Sequence, residues 1–314
     1  MLPYIGRRLL SAVITLVIVI AITFLLLHLT PGDPARVAAG PDADEATVQA
    51  ARERLGLNRP IYTQFFLWSG NLLQGDLGRS YVQGREVWDI LIDRLPVTGS
   101  LILVSLVFAI LIAVPLGIIA ATRRGRIADR FSVVLSSLGI AIPDFFLGLL
   151  LVLTLAVTLP VFPATGYVEF TSDPIGWYQH LILPAITLGT GVAAELTRHI
   201  RASLGDVLDL DYVRTATAKG VGRRSVIFKH AFRNASMPVV TVMGVQIARL
   251  LGSTVVVETV FNLPGIGQQV IKSILERDLP VILGIGIFSA FIILIVNLLV
   301  DLSYGWLSPK VRTG

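Results

Sequence analysis

The sequence contains no cysteine and little charge, and each absence excludes a class of protein. With no cysteine among 314 residues, the chain has no disulfide framework, no cysteine metal site and no thiol chemistry. Only 15% of the residues are charged, whereas a soluble domain has about 25%. Hydrophobic residues make up 54% of the chain. This composition indicates a membrane protein.

Three catalytic motifs are also missing. There is no GxxxxGK[ST] phosphate loop, so we expect no ATP hydrolysis by this chain itself. There is no HExxH motif, and the four histidines lie far apart, so we expect no metal site. There is no GxSxG nucleophile elbow either, which leaves a membrane protease unsupported. The sequence therefore predicts a protein without catalytic residues.

Six apolar stretches are long enough, or nearly so, to cross the ~30 Å hydrocarbon core as helices. They are Leu9–Leu29, Thr98–Ala121, Phe131–Leu159, Tyr178–Ile200, Met237–Val257 and Val281–Leu302. The third has Pro143-Asp144 at its middle, so we expect one kinked or tilted helix there. The fourth carries Pro184 and Glu195, so we expect it to be buried among the others. We predict an all-α polytopic fold with about six transmembrane helices.

The charges of the loops predict the orientation of these helices. Sixteen lysine and arginine residues fall in the segments 1–8, 122–130, 198–236 and 303–314, but only two in the loops 160–177 and 258–280. Cytoplasmic loops are enriched in Lys and Arg, and loops longer than about 60 residues escape this rule. The long segment 30–97 is therefore exempt. Both termini are predicted to be cytoplasmic.

The segment after the first helix is too long to be a passive connection. Asp44 can cap a helix over Glu45–Leu55 that ends at Gly56. A second amphipathic helix is predicted over Ile61–Leu73, whose aromatic residues suit either a membrane surface or packing on the bundle. We therefore divide the chain into three parts: an N-terminal helix over 1–29, an extracytoplasmic segment with short helices over 30–96, and a core with five transmembrane helices over 97–303.

The predicted cytoplasmic segment 206–238 is the most informative stretch. Residues 212–219 can form a short helix with small residues on one side, and Gly220 is placed to end it. Residues 226–232 predict a second short amphipathic stretch. Such a helix can dock in a groove of another protein. The alternative is a solvated basic loop that only satisfies the charge rule.

The stretch Asp211 to Gly220, DYVRTATAKG, resembles the cytoplasmic EAA loop of permease subunits in binding-protein-dependent ABC importers. Aligning on Gly220 places Arg214-Thr215-Ala216 at the Glu-Ala-Ala positions, with a basic residue in place of the acidic one. That departure is typical of the dipeptide, oligopeptide and nickel branch. Six further segments resemble the same branch: Arg7-Arg8-Leu9, Pro31-Gly32-Asp33-Pro34, Leu55-Gly56-Leu57, Gly75-Asp76-Leu77-Gly78, Glu258-Thr259-Val260-Phe261 and Pro264-Gly265-Ile266-Gly267.

This resemblance implies a fold, a location and a set of partners. The fold would be that of a type I ABC importer permease (MetI-like), in a bacterial cytoplasmic membrane. The chain would form half of a peptide passage with a second, related permease chain. Two cytoplasmic ATPase subunits would bind ATP and Mg, and an extracytoplasmic peptide-binding protein would deliver the substrate. No cofactor in this chain and no nucleic acid is implied. The residues implied to couple to the ATPases are Tyr212, Arg214, Thr215, Ala216, Ala218, Lys219 and Gly220.

The sequence is also compatible with other functions. A nickel importer of the same branch would share these motifs. A secondary transporter driven by an ion gradient would be expected to show inverted repeats, and no repeat is visible. A membrane scaffold without transport would leave the segments 30–97 and 206–238 unexplained.

One charge falls near the centre of the fifth predicted span. Arg249 cannot face lipid there without a cost of at least about 2.5 kcal/mol. Gln246 precedes it by three positions, and Glu195 and Asp144 are the candidate acidic partners. Two roles are open for Arg249. It forms a buried ion pair or an interhelical hydrogen bond with one of these residues, or it lines the substrate passage together with them. All four are candidate passage residues.

Overall fold

The structure is a computed structural model that describes residues 2–29, 33–40 and 42–307. The predicted turn residues Pro31 and Gly32 and the basic residues Lys310 and Arg312 lie outside the described residues, as do the side chains of Arg7 and Arg8. Within the described part no strand is present, and a single β-bridge joins Arg79 to Glu86.

The helices run as follows in chain order: α1 Leu2–Leu29, α2 Pro34–Ala39, α3 Glu45–Arg54, α4 Ile61–Leu73, α5 Val87–Thr122, α6 Ile127–Ala141, α7 Asp144–Leu151, α8 Pro174–Leu208, α9 Asp211–Ala218, α10 Arg223–Ser225, α11 Phe232–Val260, α12 Ile266–Glu276 and α13 Leu279–Leu307. Wider π-helical turns extend α7 over Val152–Thr158 and join α10 to α11 over Val226–Ala231. The all-helical prediction is confirmed.

Four helical runs among the described residues are long and apolar enough to cross a membrane: Val87–Thr122, Pro174–Leu208, Arg223–Val260 and Leu279–Val300. The bent pair α6 and α7 would make a fifth span. The first predicted span lies in α1, whose described apolar stretch, Val13–Leu25, is shorter than a span. The four or five spans found by length and composition are thus fewer than the six predicted.

The third predicted span is not one kinked helix, and that prediction is wrong. The chain bends by 98° between α6 and α7. Ile142 takes an extended conformation (φ −80°, ψ 121°) immediately before Pro143. A proline ring clashes with the residue before it in helical geometry, which is why α6 ends there. Asp144 then begins a separate helix.

The structure divides into two compact units, and the first comprises residues up to Pro96 together with Gly265–Ile295. Its short helices match the local signals of the sequence. The Asp44 carboxylate accepts a hydrogen bond from the Thr47 amide and caps α3, and Gly56 ends that helix at φ +68°. The predicted helices over Glu45–Leu55 and Ile61–Leu73 are therefore confirmed.

The aromatic residues of α4 pack within this unit. The Phe65 and Trp68 rings contact Phe24 of α1, with ring centroids 5.2 and 5.6 Å apart. Phe66 remains 71% exposed. Helix α4 therefore packs on its neighbour with part of its aromatic face and leaves the rest uncovered.

Asp278 is fully buried in the first unit and ties two distant segments together. Its carboxylate accepts hydrogen bonds from the Ser80 hydroxyl and, at 3.0 Å, from the Tyr81 amide. Its backbone carbonyl accepts from the Ile282 amide at the start of α13. Burial and the charge of Asp278 raise the pKa of the Tyr81 phenol. The turn near residue 80 is thereby held to the start of the last helix.

The second unit comprises Val97–Pro264 and the residues from Val296 onward, and α8 is its central helix. Of the most apolar part of α8, 67% is buried, against 22% for α5 and 28% for the run ending at Val260. The apolar core of this unit includes Leu181, Leu188 and Leu196 of α8 and Leu250 of α11. The prediction that the fourth span is buried is confirmed.

A glycine allows α5 and α8 to approach closely. A Cβ atom added at Gly189 would lie 2.8 Å from the Ser105 carbonyl oxygen and 2.8 Å from the Phe108 ring. The carbonyl belongs to the backbone and cannot rotate away. Only glycine fits this contact without a shift of one helix.

We expect Gly189→Ala to destabilise the protein by about 1–3 kcal/mol, the usual cost of forcing extra volume into a packed core. The matched control is Gly252→Ala in α11, where no atom lies within 4 Å of an added Cβ. That change should be neutral or slightly stabilising, because alanine is the better helix former. Thermal denaturation of the detergent-purified protein measures both. Equal midpoints for the two variants would contradict the close contact.

Candidate coupling helix and intramembrane charged cavity

Helix α9 is ended by a glycine in the left-handed conformation, as the sequence predicted. Gly220 has φ +80°. Its amide donates to the Thr217 carbonyl, and the Val221 amide donates to the Ala216 carbonyl at 3.2 Å. This pair of hydrogen bonds is the Schellman arrangement, which needs a residue with positive φ at the position after the cap. The chain therefore turns sharply at the end of α9.

Two contacts fix α9 to its own chain. The Val213 side chain is only 3% exposed, so it is buried within the second compact unit. The Tyr212 hydroxyl donates to the His230 carbonyl at 3.1 Å and accepts from the Asn234 amide group at 2.8 Å. Helix α9 is thus held against the π-helical turns that lead into α11.

The opposite side of α9 is uncovered. Arg214, Thr215, Ala218, Lys219 and Gly220 are exposed, and Ala216 is half-buried. The Arg214 guanidinium lies 3.8 Å from the Asp211 carboxylate, and both side chains are exposed, so this pair contributes little to stability. Of the seven predicted coupling residues, Tyr212 is therefore tied to the chain through its hydroxyl, and the others form most of the uncovered face.

The segment 206–238 is more helical than the sequence analysis predicted. Helix α8 continues to Leu208, and the helical run that becomes α11 starts at Arg223. The predicted spans stop at Ile200 and start at Met237 because hydropathy detects only the apolar part of a helix. A polar helical extension carries the same backbone geometry and escapes this signal. The amphipathic stretch predicted at 226–232 is present as the π-helical turns.

A buried ion pair lies beside this segment. The Asp129 side chain is 5% exposed and accepts two hydrogen bonds from the Arg201 guanidinium, one of them at 3.1 Å. It also accepts from the Gly125 amide at 2.8 Å. This pair ties the first turn of α6, and through the Gly125 amide the connection before it, to the C-terminal part of α8. In the sequence, Arg201 and the arginines near Asp129 give only an orientation signal, and nothing there predicts the pair.

A second charged pair lies in the apolar part of this unit. Asp144 at the start of α7 and Arg249 of α11 line one cavity of about 260 Å³. The Asp144 carboxylate lies near the Ser253 side chain and within electrostatic range of the Arg249 guanidinium. Two of the four candidate passage residues are thus brought together by the broken helix.

The other two candidate passage residues lie elsewhere. Glu195 is 3.6 Å from His199, one turn along α8. Gln246 is 4% exposed and does not line the cavity, although it precedes Arg249 by three positions. Its side-chain oxygen is buried and accepts no hydrogen bond from any residue that the structure describes. Arg249, by contrast, is exposed.

Comparison with known proteins identifies the family. Residues 113–313 match the family described as binding-protein-dependent transport system inner membrane component, and residues 1–102 match the N-terminal part of such membrane components. Glutathione transport system permease proteins of Escherichia coli strains CFT073 and K12 are each 44% identical to the chain over 312 residues. That of Shigella flexneri serotype 5b is 43% identical, and the alignments cover 99% of each chain. The chain therefore belongs to the binding-protein-dependent transport system inner membrane components and is a permease subunit of an ABC importer.

Proposed function

We propose that this permease carries glutathione or a peptide of similar size and forms half of the passage with a second, related permease chain. The observation that carries this proposal is the 44% identity over 99% of the chain to proteins named as glutathione transport permeases. A tripeptide lies within the peptide class that the motifs imply. Glutathione is thus a narrower proposal than the dipeptide or oligopeptide substrates of the branch, and the named relatives favour it over nickel.

We also propose that α9 is the contact through which ATPase subunits act on this chain. Its support is structural: one side is anchored through Val213 and Tyr212, and the other side is exposed and basic. A partner that moves α9 would pull directly on the turns leading into α11. In this arrangement ATP and Mg belong to the ATPase subunits, and the segment 30–96 faces the binding protein on the opposite side.

The substrate proposal is tested by uptake into proteoliposomes that contain the full complex and its binding protein. Radiolabelled glutathione should enter only when ATP is present in the vesicle lumen, on the side of the membrane where the ATPase subunits lie. Ionophores that collapse ion gradients should not stop this uptake. Uptake should fall in excess unlabelled glutathione. A complex that accumulates nickel or simple dipeptides and ignores glutathione would overturn the proposed substrate.

The proposed orientation is tested with single cysteines, since the chain has none of its own. Thr171→Cys and Gly222→Cys each place a thiol at an exposed position, one in the loop before α8 and one after α9. An impermeant thiol reagent is added to cells whose outer membrane has been made permeable. It should label Thr171→Cys and spare Gly222→Cys, because the Lys- and Arg-rich segments face the cytoplasm. Permeabilised cells, in which both should react, are the control. The reverse pattern would contradict the orientation.

A further inference from the structure

The break between α6 and α7 opens a cavity whose walls are mostly backbone and small residues. It measures about 260 Å³ and is lined by Gly139, Ile140, Ala141, Ile142, Pro143, Asp144, Gly191 and Arg249. A Cβ atom added at Gly191 would lie 3.9 Å from a carboxylate oxygen of Asp144. The absence of a side chain at Gly191 therefore leaves room in front of that carboxylate.

The two charges in this cavity are near each other but do not form an ion pair. Asp144 lies near Ser253 and within electrostatic range of Arg249. The Arg249 guanidinium makes no hydrogen bond and no ion pair with any other residue in the described part of the chain. A guanidinium carries five N–H donors, so it retains the capacity to bind an anion.

The position of Arg249 makes a lipid-facing role unfavourable. It lies within the apolar run Arg223–Val260 and is exposed on this chain. An arginine at the centre of a bilayer costs at least about 2.5 kcal/mol, so such residues face a bundle interior or a water-filled path. The cavity is therefore expected to hold water, a ligand or a partner group.

We propose that this cavity binds the α-amino-acid end of the transported peptide, with the ammonium group at Asp144 and the carboxylate at Arg249. This inference rests on the proposed function, because it assigns the substrate to a site in the passage. A guanidinium and a carboxylate can form two parallel charge-assisted hydrogen bonds, which are among the stronger polar contacts in proteins. The carboxylate of Asp144 can accept a charge-assisted hydrogen bond from an ammonium group.

The size of the cavity favours an end group over a whole peptide. Pockets that enclose a drug-sized ligand measure about 300–1,000 Å³, so this cavity suits one amino-acid head. The γ-glutamyl end of glutathione carries its free ammonium and carboxylate on one carbon atom. An ordinary dipeptide carries them at opposite ends, on two different carbon atoms. The site would thus favour γ-glutamyl peptides.

The test uses one cysteine in the cavity wall of a chain that has none. Ile142→Cys in the assembled complex should react with a small cationic methanethiosulfonate, because the cavity holds water. S-methylglutathione, whose blocked thiol cannot consume the reagent, should slow this reaction about twofold at a concentration equal to its Kd. The N-acetylated form, which lacks the ammonium group, should slow it much less. Thr171→Cys should react at the same rate with or without either peptide.

Two kinds of variant assign the effect to the cavity. On the Ile142→Cys background, Asp144→Asn should abolish the difference between the free and acetylated peptides, and Arg249→Gln should weaken protection by both. Gly191→Leu keeps both charges but fills the space, so it too should remove protection. It therefore tests the site even if a charge variant fails to assemble.

Each failure has a separate meaning. An unreactive thiol in the Ile142→Cys complex, or equal protection by the free and acetylated peptides, overturns the binding site. If the wild-type complex still accumulates glutathione in that case, the proposed function stands without this site. If protection is seen but glutathione is not accumulated, the cavity binds amino-acid ends and the proposed substrate is wrong.

Discussion

Gly220→Val is expected to lower ATP-driven uptake at least about tenfold while the chain stays in the membrane. Gly220 has φ +80°, where a residue with a side chain is strained by about 1–2 kcal/mol, and a β-branched residue by more. A penalty of about 1.4 kcal/mol lowers the equilibrium constant between the native turn and its alternatives about tenfold. Since this turn ends α9, the uncovered face of the helix would be misdirected.

The chain offers a matched control two residues away. Gly222 has φ −58°, and neither Gly220 nor Gly222 has an atom within 4 Å of an added Cβ. Gly222→Val therefore adds the same side chain in the same exposed loop without backbone strain, and it should transport almost normally. Substrate-stimulated ATP hydrolysis and co-purification of the ATPases measure the effect. If both variants transport alike, α9 only satisfies the loop-charge rule.

Arg201→Ala is expected to destabilise the permease by about 1–3 kcal/mol, because it leaves the buried Asp129 carboxylate without its partly exposed cation. The connection between α5 and α6 would then separate from the end of α8. The thermal midpoint of the purified protein and its yield should both fall. Uptake should fall with them, since α9 follows directly after α8.

An exposed ion pair in the same region is the control. Arg124 lies 3.8 Å from Asp206, with side chains 50% and 76% exposed. Asp206→Ala should therefore cost at most about 1 kcal/mol. Replacing Asp129 and Arg201 together by leucine should restore much of the lost stability, because no buried charge is then left alone. If the double variant is no better than Arg201→Ala, the pair is not what stabilises this contact.

Local signals in the sequence predicted several elements closely. Helix α4 occupies the predicted residues Ile61–Leu73, and α9 lies within one residue of its predicted start and end. The glycines at 56 and 220 have the positive φ that their predicted roles require. Such signals depend on a few neighbouring residues, and no distant contact is needed to interpret them.

Elements without a long apolar run were missed. Helix α12, Ile266–Glu276, lies where an external loop was predicted, and α5 begins at Val87, well before the predicted span. A search for uniformly apolar stretches does not detect an amphipathic or polar helical segment. The 98° break at Pro143 was expected only as a kink, because the angle depends on what packs against each half.

The sequence by itself determined the membrane class, the approximate spans, the turn that ends α9 and the family motifs, because composition, hydropathy and glycine conformation are local properties. Only the tertiary structure decided which charges meet. It brings Asp144 near Arg249, whereas Glu195 and His199 meet only because they lie one turn apart on α8. It also joins Asp129 to Arg201 across 72 positions of the chain. The physical reason is that an electrostatic partner is selected by distance in space, which depends on how the helices cross and where one breaks.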